Sequence, residues 1–321
     1  MRILTRLFLI FLAITGTLAL YSAYGAWQVE HDYPPIGRFV DVAGLRLHYI
    51  DTGKGAPVVL VHGASTTLRD FTASLVPGLS LHHRVLAFDR PGHGYSERPA
   101  GAWPDPAEQA RYLHTALIEL GVSRPLLVGH SWSGSLVLAY LLNYPGDTAG
   151  GVLLAGGSHP WKGGVDWTNE VGGIPVLGTL FAHTLLFPAG QLVMENAIAT
   201  VFRPESPPPG YLQRTGIRLV LRPDNYFANA EDLRRLSDYL AIQSRHYAQL
   251  DRPVLLIHGT EDGIVPAWNH TDRLLKILPD VDVVRLAGAG HALHHTRTDL
   301  VARLISDFSR RVQTVGIDAG E

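Results

Sequence analysis

Short apolar runs alternate with amphipathic stretches along most of this chain. Pro57–Val61, Arg84–Phe88, Pro125–Val128, Gly151–Leu154, Pro253–Ile257 and Val281–Arg285 are short, largely apolar runs between turn residues. That pattern fits strands of a parallel sheet covered on both faces. Ahead of them, Gly37–Val42 and Leu45–Tyr49 alternate apolar and polar positions around Ala43-Gly44, which predicts an antiparallel hairpin on the sheet edge. Between the runs, Asp105–Leu120 carries Ala110, Leu113, Leu117 and Leu120 at helical spacing. Ser133–Leu142 is apolar nearly all round, as a helix buried under a sheet would be. Trp268–Leu278 and Thr298–Val312 also read as helices. Strands alternating with helices predict an α/β fold: a mostly parallel eight-stranded sheet flanked by helices.

Two stretches break the rhythm. Residues 159–247 contain no strand pattern, but do contain aromatics, paired glycines and the run Pro204–Gly210; this predicts a helical cap inserted between two strands. At the N-terminus, Arg2 and Arg6 precede Leu7–Trp27, which has no charged residue, and Glu30 and Asp32 follow. About 20 apolar residues suffice to cross a bilayer, and the basic flank would stay cytoplasmic, with the remaining chain outside. The favoured reading is an uncleaved membrane anchor. The rivals are an exported, cleaved signal peptide with core Leu7–Leu20 and an imperfect site at Ala23-Tyr24-Gly25, or an amphipathic helix packed on the domain. The expected layout is a signal anchor or signal peptide over 1–27, a linker with Pro34 and Pro35 over 28–36, a core over 37–158 and 248–312, the cap over 159–247 and a C-terminal tail over 313–321.

Composition narrows the function classes. With 46% apolar and 17% charged residues, the 321-residue chain is core-rich. A formal net charge of -2 and the lack of a long basic run leave no electrostatic footprint for nucleic acid. The absence of cysteine excludes disulfides, a Cys-based zinc site and a cysteine nucleophile.

The candidate chemistry begins at Leu126–Gly134, where a strand runs into a helix through a turn centred on Ser131. A serine on such a turn is strained and presented at the sheet's edge, above a helix N-terminus that favours developing negative charge. The pattern Gly-x-Ser-x-Gly is met except that Ser133 takes the last position, with Gly134 next. Serine needs a base, and the base needs a third group to orient it. Asp262 follows the strand Pro253–Ile257, with Glu261 as the runner-up. His291 closes a loop after the next strand, with His294 and His295 as alternatives. After Pro57–Val61, the loop at His62-Gly63 offers the backbone N–H of Ala64, which with that of Trp132 would form an oxyanion hole. His62 itself is expected to bond within its loop.

Together, the His62-Gly63 loop, Asp89–Ser96, the Gly129–Gly134 elbow, the His258–Pro266 loop and Gly290-His291 resemble the lid-bearing branch of the α/β-hydrolase superfamily over about residues 37–312. The resemblance implies the α/β-hydrolase fold and a nucleophile–acid–histidine order. It implies a structural, non-catalytic role for Asp89–Gly92. It also implies that Ser131 excludes the epoxide hydrolases and haloalkane dehalogenases, which use aspartate there. No metal or other cofactor is implied. The expected substrate is a small, mainly apolar ester or lactone. An amidase, C–C bond hydrolase or perhydrolase would use the same triad; a lyase, a cofactor-free oxygenase or a non-catalytic binding protein are the further alternatives. Candidate pocket residues in and near the cap are Trp161, Trp167, Phe181 and Phe187, with Leu185 and Leu186, and Trp132 beside the nucleophile.

Overall fold

The computed structural model describes residues 1–278 and 281–315. Eight strands form one sheet: β1 (Arg38–Val42), β2 (Leu45–Thr52), β3 (Pro57–Val61), β4 (Arg84–Phe88), β5 (Leu126–His130), β6 (Gly150–Leu154), β7 (Val254–Gly259) and β8 (Asp282–Leu286). Their order is β1-β2-β4-β3-β5-β6-β7-β8. The β1–β2 and β2–β4 pairs are antiparallel, and all other neighbours are parallel. The apolar runs are continuous because both faces are covered. In β3, Val59 and Val61 enter one core layer while Val58 and Leu60 enter the other. From β3 the chain moves to β4 on one side and then returns to β5 on the other. The loops leaving β3 and β5 therefore diverge and open a crevice at the carboxyl ends of these strands.

The segment between β6 and β7 holds the helices Trp167–Val171, Pro175–Thr184, Leu186–Phe202, Tyr211–Thr215 and Pro223–Gln243. The last is pinned to the sheet domain by Asp232, which is buried and accepts from Arg90 Nη1 at 2.5 Å, Arg98 Nη2 at 3.0 Å and Trp103 Nε1 at 3.0 Å. A buried charge is stable only when so paired.

The N-terminal helix runs from Arg2 to Asp32, so the stretch expected as a linker over 28–36 begins as helix. Packing explains the extension. Ser22, Gly25 and Val29 are buried, at a spacing that puts them on one helical face. A Cβ on Gly25 would lie 2.1 Å from Cε1 of Phe187, so any larger residue would displace that ring. The Ser22 hydroxyl donates to the Thr184 carbonyl at 2.9 Å, and Glu30 pairs with Arg222 at 2.9 Å. The preceding turns stand clear of the protein, with Leu7, Phe8, Leu9, Ile10 and Phe11 exposed. There the hydroxyls of Thr15 and Thr17 are satisfied by the carbonyls one turn back.

Two other boundaries differ from the expected ones. The helix expected over Trp268–Leu278 is only Thr271–Leu275, because the residues before it are drawn into the cap junction. Asn269 donates to the Pro160 carbonyl, and His270 Nδ1 accepts from the backbone N–H groups of Ser158 and His159. The last helix is Thr298–Val315 and takes in the start of the expected tail; residues 316–321 of that tail lie outside the described residues.

Candidate active site

Ser131 sits between β5 and the helix Ser133–Asn143 with φ +54°, a left-handed conformation that costs a non-glycine residue about 1–2 kcal/mol. Three backbone bonds hold it there: Ser131 N–H donates to Leu154 O at 2.9 Å, and its carbonyl accepts from Gly134 at 3.0 Å and Gly157 at 2.9 Å. Gly129 is needed for the close approach of strand and helix, since a Cβ there would fall 2.4 Å from the Ser133 carbonyl oxygen. Ser133, the departure from the glycine pattern, has its own use. Its hydroxyl donates to the His62 carbonyl at 2.5 Å and ties the elbow to the loop after β3.

His291 Nε2 is 2.9 Å from Ser131 Oγ, and His291 Nδ1 is 2.8 Å from Asp262 Oδ2. With Nδ1–H donating to the carboxylate, Nε2 is left as acceptor for the serine hydroxyl. The loop after β7 places Asp262, whose Oδ1 accepts from the N–H groups of Ile264 and Val265 at 2.9 Å each. Burial alone would raise the Asp262 pKa, but His291, His258 and the Val265 N–H overcome it and hold the carboxyl well below the usual carboxylate range. Glu261 is exposed and takes no part in this chain of bonds. His294 and His295 instead donate from Nε2 to Asp70, at 2.8 and 2.7 Å.

Ala64 and Trp132 line the same cavity as Ser131. Among the described residues neither backbone N–H has an acceptor within the chain. The next N–H, that of Ser65, donates to Asn229 on the cap helix Pro223–Gln243 at 2.6 Å and fixes the loop. Trp132 is clamped by its indole N–H on the Asp232 carbonyl at 3.2 Å and by the Arg90 guanidinium 3.9 Å above its ring. His62 bonds Gly63 O through Nδ1 and accepts from Arg90 N–H through Nε2; burial, with Arg90 nearby, lowers its pKa to about 4. Asp89 accepts from His48 Nδ1 and from the N–H groups of Leu68 and Tyr95. Sequence reasoning missed Asp232, Asp70 and the work of Ser133, because their partners are distant in sequence.

The cavity has a volume of about 940 Å³ and is mostly apolar, with Val201, Ile217, Leu233 and Leu236 on its wall. Trp161 lines it, but Trp167, Phe181 and Phe187 do not. Trp167 is exposed with its edge on Phe181, Phe181 packs on Tyr226, and Phe187 covers the N-terminal helix at Gly25 and Tyr21. Leu185 is exposed and Leu186 joins the apolar core beneath the cap. Phe181, Leu186 and Phe187 are apolar for the sake of cap packing. A second cavity, of about 980 Å³ beside Glu30, Arg98 and Arg222, contains no member of the triad.

A model of the alpha/beta hydrolase family matches residues 58–304. The chain is 28% identical over 295 residues to 2-hydroxymuconate semialdehyde hydrolase of Pseudomonas putida, across 86% of this chain and 94% of that one. It is 28% identical over 285 residues to haloalkane dehalogenase 2 of Mycobacterium bovis, across 85% and 94%. Among solved structures, a bacterial membrane phospholipase A is similar with a TM-score of 0.69 and 21% identity, covering 97% of this chain and 99% of that one. The family match spans the sheet from β3 to the last helix and includes the strained turn at Ser131; the chain belongs to the alpha/beta hydrolase family.

Proposed function

We propose that this protein is a membrane-anchored serine hydrolase that cleaves an ester-type bond, a carboxylic ester or lactone, in a mainly apolar small molecule. The observation that carries the reading is the Asp262–His291–Ser131 chain of bonds at 2.8 and 2.9 Å on the wall of an apolar cavity. His291 Nε2 takes the proton of Ser131 Oγ as the oxygen attacks the ester carbonyl. The tetrahedral oxyanion is received by the N–H groups of Ala64 and Trp132, each such donor being worth about 10²–10³ in rate. His291 then protonates the departing alkoxy oxygen, leaving an acyl-Ser131. Water attacks that ester with His291 again as base, and the carboxylic acid leaves as Ser131 regains its proton.

Membrane anchoring is supported by the division of the N-terminal helix into an exposed apolar part and a packed part. The fold likeness to the membrane phospholipase A covers 97% of this chain, too much to omit the 31-residue helix. Arg2 and Arg6 would remain cytoplasmic, which puts the catalytic domain on the other side.

A C–C bond hydrolase with the same triad is the second reading. It is favoured by the relative that hydrolyses 2-hydroxymuconate semialdehyde, a carboxylic acid without an ester bond. Arg273 and Lys162 on the cavity wall offer cations for such a carboxylate. The test is hydrolysis of short- and medium-chain p-nitrophenyl esters by the full chain in detergent, beside Ser131→Ala, with mass spectrometry for an acyl-Ser131 adduct. Ester turnover that is lost in the variant is the expected result. Equal activity of both proteins would refute Ser131 as nucleophile. Silence on esters with cleavage of a muconate semialdehyde would establish the second reading.

A further inference from the structure

The cap helix Leu186–Phe202 carries two kinds of outer surface. Leu185, Ala189, Leu192 and Val193 are exposed, and their spacing puts them on one helical face, with Leu192 83% exposed. Phe187, Met194 and Ile198 fill the apolar core beneath the cap from the opposite face. Beyond Val193 the exposed positions are Glu195, Asn196, Ala197, Ala199 and Thr200, with no large apolar side chain among them. From Val171 to Met194 the sequence has no Asp, Glu, Lys or Arg. A contiguous exposed apolar face of this kind marks an interaction surface.

The N-terminal helix indicates what covers it. That helix runs unbroken from Arg2 to Asp32 and docks on this end of the cap. The Gln191 side-chain amide donates to the Tyr21 hydroxyl at 3.2 Å, and Ser22 donates to the Thr184 carbonyl at 2.9 Å. No flexible segment separates the free apolar turns from the docked ones, so helix length sets the height of the cap above a membrane. At a rise of about 1.5 Å per residue, about 20 residues cross the hydrocarbon. A span that starts after Arg2 ends near Ser22, and one that starts after Arg6 ends near Ala26. Exposed Tyr24 and Trp27 lie at this level, and such side chains favour the boundary between hydrocarbon and water. With either start, the stretch from Thr184 to Gln191 stands at the hydrocarbon surface or below it, flanked by the apolar stripe.

We infer that the cap makes a second contact with the bilayer: the elbow between the helices Pro175–Thr184 and Leu186–Phe202 enters the leaflet on the catalytic domain's side. Leu185, Ala189, Leu192 and Val193 meet lipid chains, and Glu195 stays among the headgroups. Lipid is the occupant because the stripe is continuous with the uncharged run Leu7–Trp27, whose exposed apolar turns need the same surroundings. The two cap helices are bent by 72° and are together as apolar as a broken span. The polar positions from Glu195 onward limit the insertion to the elbow, as in helices that lie in a membrane surface. The same helix carries Val201 to the wall of the Ser131 cavity, about 12 Å further along its axis, which sets that cavity beside the lipid. The inference rests on the membrane-anchor reading and is independent of which bond is cleaved.

The chain has no cysteine, so an introduced one reports a single site. Full-length Leu192→Cys, Val193→Cys, Leu9→Cys and Leu81→Cys proteins are each labelled with nitrobenzoxadiazole and reconstituted into phosphatidylcholine vesicles, with and without doxyl-labelled phosphatidylcholine as quencher. Leu9 reads the anchor. Leu81 is exposed just ahead of β4, at the amino ends of the strands and so away from the cap, and reads water. The quencher should dim the labels at Leu9, Leu192 and Val193 by about twofold or more and leave the label at Leu81 unchanged. Labels at Leu192 and Val193 no dimmer than at Leu81, beside a dimmed Leu9, overturn the insertion and leave the anchor standing. Oxidative crosslinking of unlabelled Val193→Cys into dimers, with the label there undimmed, assigns the stripe to a second copy of the chain and also overturns it. An undimmed Leu9 beside a dimmed stripe sinks the anchor and leaves the cap contact standing; undimmed labels at all three positions sink both.

Discussion

Asp232→Ala strips the cap helix of the carboxylate that holds it to the sheet domain. Arg90 has no exposed side-chain surface and relies on that carboxylate at 2.5 Å. Removing one partner of a buried pair costs about 3–5 kcal/mol, since the remaining charge stays desolvated. The Trp103 indole N–H and the partly exposed Arg98 lose the same acceptor, which adds about 1 kcal/mol. The expected loss of about 4–6 kcal/mol rivals the whole stability of many domains. At about 2–4 °C per kcal/mol for a large domain, the melting temperature should fall by roughly 8–24 °C. Thermal and urea unfolding of the full chain in detergent would read it. The double variant Arg90→Met, Asp232→Leu should recover at least half of the loss, because an apolar pair carries no desolvation penalty. A loss below about 1 kcal/mol for Asp232→Ala would refute the claim that this pair fastens the cap.

Asp262→Asn should lower kcat by about 10⁴ on any ester the protein turns over, through loss of the histidine tautomer, whereas Glu261→Gln should change it less than twofold; comparable losses would reverse the two assignments. Ser133→Ala removes the 2.5 Å bond to the loop that carries Ala64 and should cut kcat by about tenfold with KM little changed; an unchanged kcat would mean that the loop holds itself. Acid should destabilise the protein well above the carboxylate range. Burial, the largest cause at each site, holds His62 and His159 to about 4 and His270 to about 3, and lowers His93, His130 and His294 as well. These folded values lie below the unfolded value near 6.5, so the unfolded chain takes up protons that the folded one refuses. Their stabilisation is complete above pH 6.5 and is lost as pH falls toward 4, with about 3 kcal/mol from fully buried His62 alone. A urea midpoint that stays level or rises between pH 7.5 and 4.5 would contradict this.

The inner strands β3 to β7 were legible because their apolar runs are buried on both faces, as over Leu126–Val128, and the edge hairpin because its positions alternate. Ser131, Asp262 and His291 were legible for a related reason: each follows a clear strand, so chain order alone sets them along one sheet edge. The cap was not. Its apolar residues say that something is covered, but not what. Phe187 lies against Gly25 of the N-terminal helix rather than in the cavity, a contact across more than 150 positions that no local period encodes. Nor does periodicity announce Asp70 or Asp232. A buried aspartate looks in sequence like any surface one until its histidine or arginine partners arrive from other elements.

The N-terminal helix bears on how the protein is made. Ser22, Gly25 and Val29 form one packed face, and the small-residue site Ala23-Tyr24-Gly25 ends on it, with Gly25 buried and Ala23 and Tyr24 exposed. A processing peptidase acting there during export would need this turn unwound and lifted from the cap. The severed product would lack the Ser22 bond to the Thr184 carbonyl and the glycine that seats Phe187. For an exported chain, maturation by cleavage and an intact cap would thus be competing fates, set by whether this helix docks before a peptidase arrives.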